Sequence, residues 1–180
     1  AEVDRPAAGH LQRLQDIGAR RGAGQGGIGG AGRNQCGGGA GDQDKIAQLA
    51  VEVAYYGARS RSDRGQQRAL FKETVEKSQE LIGRSSDGDV KLQAQSTLAN
   101  ATQDFGQFLI EELDIARSES PERVAELQAE AIDVLKAGKE ACRDVRNALE
   151  SQRSDPQKEI EFFLMWMKEA VLTREQAKAD

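Results

Sequence analysis

From Asp44 to the C-terminus, apolar residues recur every three or four positions, and only short polar breaks interrupt the pattern. That spacing is the period of an amphipathic helix, and no segment alternates convincingly with period two. β-Branched residues are thin, so the predicted class is all-α. Asp42 or Asp44 is placed to cap a first helix with Ile46, Leu49, Ala50, Val53 and Tyr56 inward, fading at Gly57. A second helix is expected over 63–82, with Leu70, Phe71, Val75 and Ile82 inward and Gly83 as its stop. A third, over 89–116, carries Val90, Ala94, Leu98, Ala101, Phe105, Phe108, Leu109 and Leu113. Ser120 and Pro121 then read as a cap and a first helical position. They open a helix whose seam is Val124, Leu127, Ala131, Val134, Gly138, Cys142, Val145 and Leu149. Ser154-Asp155-Pro156 opens a fifth helix. Short breaks favour antiparallel neighbours, which predicts an elongated antiparallel bundle of four to five helices with coiled-coil-like packing over 44–180.

Before that domain the composition changes. Residues 22–41 hold 11 of the chain's 19 glycines, with few apolar neighbours to offset their ordering entropy. Residues 1–43 are therefore expected to be a flexible Gly-rich segment. Gly22 to Gly27 fits the dinucleotide pattern G-x-G-x-x-G, but no strand delivers it, and the glycine-rich stretch matches the pattern in other registers too. No Gly-Lys-Ser or Gly-Lys-Thr occurs.

Charge and rare residues narrow the function classes. The net charge is −5, which argues against a general nucleic-acid binder. Residues 1–43 carry five Arg and four acids, and the helical remainder carries 20 bases and 26 acids. One histidine, His10, excludes multi-His metal sites, and no nucleophile–base pattern surrounds it. No cofactor is implied, and the expectation is a protein that is not an enzyme. Cys36 and Cys142 lie 106 positions apart, too sparse for a disulfide framework, and are expected as free thiols. Cys142 falls on a seam and reads as a small apolar filler. No run approaches the ~20 apolar residues of a membrane span. The start of the chain lacks the charged start and apolar core of a secretory signal.

Three groups are candidate sites. Arg59, Arg61, Arg64 and Arg68 cluster after the first helix, with Asp63 as the one acid among them. They would either grip an anion or neutralise a helix end. Glu111, Glu112 and Asp114 alternate with apolar residues on a charged helix and read as a solvated face. Phe162 to Met167 is a run of six large apolar residues. The face Ile160, Phe163, Leu164 and Met167 suffices for a bundle core. Phe162, Met165 and Trp166 then point partly elsewhere, against a second neighbour or as an exposed patch.

The junction of the third and fourth helices, Ala116-Arg117-Ser118-Glu119-Ser120-Pro121-Glu122-Arg123-Val124-Ala125-Glu126-Leu127-Gln128-Ala129-Glu130, resembles the phasin family, as does Phe105-Gly106-Gln107-Phe108 before it. Phasins are small helical proteins that coat intracellular polyhydroxyalkanoate granules. The resemblance covers about residues 97–150. The break is about two residues longer than the family's, and Ala131 or Ile132 stands where an aromatic is expected after Gln128. The resemblance implies a non-catalytic, granule-associated cytoplasmic coat whose amphipathic helices meet an apolar polymer. Phe105, Phe108, Leu109, Leu113, Phe162 and Trp166 are then the candidate contacts. The alternative is a self-associating helical interaction module, such as an adaptor, a secretion accessory or a sensor-domain bundle. Its partners would be other helices, and a homo-oligomer is expected.

Overall fold

The computed structural model describes residues 40–179. The Gly-rich pattern at Gly22 to Gly27, His10 and Cys36 lie outside the described residues. The described chain is an all-α bundle of five helices: α1 Ala40–Ser60, α2 Arg64–Arg84, α3 Gly88–Glu119, α4 Val124–Leu149 and α5 Pro156–Ala179. Short 3-10 turns at Pro121–Arg123 and Glu150–Gln152 lie in the last two connections.

Aspartates start three of these helices. Asp63 accepts from the Gln66 amide at 2.7 Å, Asp87 from Asp89 and Val90 at 2.9 and 3.2 Å, and Asp155 from Gln157 at 2.9 Å. Two expected boundaries move. Ser120 makes no side-chain cap, because Pro121–Arg123 forms a 3-10 turn before α4 begins. Gly83 does not stop α2, which runs on to Arg84 and closes through the Ser85 amide on Leu81 O.

Cross-helix bonds fix the directions. Gln48–Thr97 and Tyr55–Asp104 share one sequence offset, so α1 and α3 are parallel. Arg64–Glu112 beside the stacked rings of Phe71 and Phe105 sets α2 antiparallel to α3. Lys139–Gln176 and Arg146–Glu169 do the same for α4 and α5. Helix α3 is central and packs against all four others, whereas the backbones of α1 and α5 do not approach each other closely.

Helix α3 is therefore buried over most of its circumference, and all eight of its expected core residues are inside. Two glycine contacts set its distance from α4. A Cβ on Gly138 would overlap Thr102 Oγ1 and lie 3.0 Å from Thr102 Cβ. A Cβ on Gly106 would overlap Leu135. Thr102 is fully buried and donates to Leu98 O at 2.7 Å, so it cannot swing away cheaply. Gly138→Ala gains about 1 kcal/mol of helix propensity. It loses about 1–3 kcal/mol to overpacking. A lowered melting temperature in thermal unfolding is the expected result, despite the better helix former.

Two helices present a different face from the expected one. In α1, Ile46, Leu49, Val53 and Tyr56 are 61–73% exposed, and Gln48, Val51, Ala54, Tyr55 and Ala58 face the core. Inward Gln48 and Tyr55 bond Thr97 and Asp104 of α3, and small Ala54 and Ala58 permit close approach. In α5 the expected inner residues Ile160, Phe163, Leu164 and Met167 are exposed, while Met165, Leu172, Glu175 and Ala179 are buried. Glu169 bridges Arg143 and Arg146 at 2.6 Å each, and Lys168 bonds Asn100. Those contacts fix the rotation of α5 and turn its larger apolar stripe outward.

Candidate functional site

The expected anion site is dispersed among internal partners. Arg59 pairs with Asp104 at 3.3 Å. Arg64 reaches Glu112 at 2.5 Å and Glu111 at 3.4 Å, with its guanidinium 4.5 Å from the Phe108 ring centroid. Arg68 pairs with Glu130 of α4. Arg61 is exposed and makes no ion pair with the described residues. Three of the four arginines thus tie α1 and α2 to α3 and α4, and their charge is already matched by carboxylates. Spacing along the chain could not show this, because each partner lies 45 or more positions away. The same pairings occupy Glu111 and Glu112, and Asp114 pairs with Arg117 at 2.9 Å.

Four expected apolar contacts are core residues. Phe105, Phe108, Leu109 and Leu113 are buried on α3, so they meet no external surface in this fold. Phe105 and Phe108 form an aromatic cluster with Phe71, with ring centroids 5.7–6.3 Å apart. Phe162 is partly buried against the core, with the Arg153 guanidinium 4.5 Å from its centroid. Trp166 is exposed.

What reaches solvent is a broad face of α5. Ile160, Phe163, Leu164, Trp166 and Met167 are 47–58% exposed. At 3.6 residues per turn they span roughly 160° of the helix, wider than the ~100° stripe that suffices to seat a helix on a core. Phe163 stands edge-to-face on Phe162, with centroids 5.7 Å apart, so the patch continues into the core through its aromatic neighbour. With about 100 Å² open per side chain, the patch amounts to roughly 500 Å², the upper range for the largest apolar patch of a monomer.

Between α1 and α5 the open side of α3 floors a cleft of about 540 Å³, lined chiefly by polar side chains, among them Glu52, Gln93, Ser96, Asn100, Lys158 and Glu161. Lys158 and Glu161 pair one turn apart along its α5 wall at 3.3 Å. Cys142 is a free thiol sealed in the core, and burial pushes it up to about 11, so the thiolate is suppressed at neutral pH. Burial raises the Tyr55 phenol, helped by its bond to Asp104, and lowers Lys168. Burial also works against ionised Glu175, but hydrogen bonds from Lys178 and Arg174 outweigh it and hold the carboxyl below its usual range. Burial is the largest influence on each of these groups, and charged or hydrogen-bonding neighbours supply the rest, Cys142 and Lys168 acting on each other. The described residues contain no cluster of three or more potential metal ligands. No described helix is long and apolar enough to cross a membrane. Compared with known proteins, the chain matches no family model, no curated protein and no solved structure.

Proposed function

We propose that this chain is a non-catalytic binding protein that coats an apolar surface through the outer face of α5, in the manner of a phasin on a polyhydroxyalkanoate granule. The observation that carries this reading is the width of the α5 patch. A face of roughly 160° leaves no single groove for a partner helix to fill, yet it lies flat against an extended apolar boundary. Covering half of its roughly 500 Å² is worth about 6 kcal/mol before the costs of association. The acidic excess of the helical domain would keep coated particles apart. The phasin-like junction supports the reading from sequence, while the contacts shift from Phe105, Phe108, Leu109 and Leu113 to the outer face of α5. Binding by α5 needs no opening of the bundle.

Co-sedimentation with amorphous polyhydroxyalkanoate particles, beside phospholipid vesicles and a particle-free control, tests it. Saturable binding to polymer is expected, weakened at least about tenfold in a Phe163→Ser, Trp166→Ser chain that still melts normally. Equal binding by that variant, or none by the parent, would refute the reading. The alternative of a self-associating module is favoured by a separate observation on α1.

A further inference from the structure

We propose that α1 pairs in parallel with α1 of a second copy of this chain, through Ile46, Leu49, Val53 and Tyr56. These four side chains are the large exposed apolar residues of α1, and their spacing is three, four, three. That is the a–d–a–d step of a heptad, a narrower stripe than the broad face of α5. A narrow seam fits a helix better than a flat surface. The seam lies about 180° around the helix from Val51, Tyr55 and Ala58, which face the core. Two bundles joined along it therefore sit on opposite sides and do not collide.

The residue types choose the partner and its direction. Ile46 and Val53, both β-branched, occupy a, and Leu49 and Tyr56 occupy d. β-Branched a positions with Leu at d favour two parallel strands. The flanks agree. Position g holds Lys45, Glu52 and Arg59, and position e holds the small Ala50 and Gly57. In a parallel pair each g faces an e of the partner, so Lys45 meets Ala50 and Glu52 meets Gly57 without charge conflict. In the four-layer antiparallel pair g faces g, which sets Glu52 against Glu52 of the partner. Like charges at such positions are destabilising. The seam is short, but α1 is already folded on its bundle and bears no nucleation cost. With about 100 Å² from each side chain, the pair buries roughly 800 Å², below the range of stable interfaces and within that of weak, transient association. The dimer is therefore concentration-dependent.

Sedimentation velocity of the full chain from about 1 to 200 µM should show a monomer–dimer equilibrium in the micromolar range. Val53→Asp should raise the dissociation constant about a hundredfold or more, by setting a carboxylate in the seam of each copy. Val53 is well exposed in the single chain, so helical content should be unchanged. In a Cys36→Ser background, Val53→Cys should cross-link to itself on mild oxidation, as a facing a does in a parallel pair. Trp166→Ser should leave the dimer intact, which separates this result from failure of the α5 reading. A monomer at every concentration would overturn the proposal. So would a dimer indifferent to Val53→Asp, or Val53→Cys that links only to copies carrying Leu49→Cys.

Discussion

Leu127→Asp is expected to abolish the helical fold. Leu127 lies early in α4 with 1% of its surface exposed, inside the main apolar cluster. An aspartate there would lose water without gaining a partner, because the nearby arginines already hold Glu112 and Glu130. An uncompensated buried charge costs several kcal/mol, and loss of the leucine contacts adds about 2–5 kcal/mol. Together these approach the whole stability of a domain this size, about 5–15 kcal/mol. Circular dichroism should show little helix at 25 °C, or a melt lowered by tens of degrees. An unchanged melting curve would mean that the α4 seam is not core.

Phe105→Ala should be the next most damaging single change. Its ring is 1% exposed and stacks on Phe71 with a centroid separation of 5.7 Å, beside Phe108 at 6.3 Å. The cluster joins α2 to α3, and its outer edge is closed by the Arg64 guanidinium over Phe108. Removing a buried phenyl group costs about 3–5 kcal/mol. For a domain of this length that is a fall of roughly 10–15 °C in melting temperature. Trp166→Ser, at an exposed position, should leave the melt within a degree or two. The pair of variants thus separates core from surface among the aromatics that sequence placed together as surface contacts.

The legibility of the fold follows from how many neighbours each helix has. Helix α3 touches all four others, so nearly every apolar position on it is inward and its periodicity points to one answer. Helix α4 reads almost as well, except that Val124 and Val134 are half-buried while Leu135 and Ala141 are inside. Helices α1 and α5 are peripheral and carry two competing stripes. In α1 the more apolar stripe is the outer one, because the inner one uses Gln48 and Tyr55 as hydrogen-bonding contacts to α3. In α5 the ion pairs of Glu169 with α4 fix the rotation. Periodicity detects a stripe but cannot say which stripe faces inward when polar partners lie far away in sequence. The arginine cluster escaped reading for the same reason. The two outward stripes are also where folding alone leaves apolar surface without a local use, and both proposals for function rest there.

The most direct test of the central claim is the fluorescence of Trp166, the chain's single tryptophan, during titration with amorphous polyhydroxyalkanoate particles. The indole is 57% exposed on the outer face of α5. If that face lies against the polymer, the emission should shift to shorter wavelength and saturate with particle area, without loss of helix. An emission unmoved while the chain sediments with the particles would show that another face binds, and absence of binding would remove the granule-coat reading altogether.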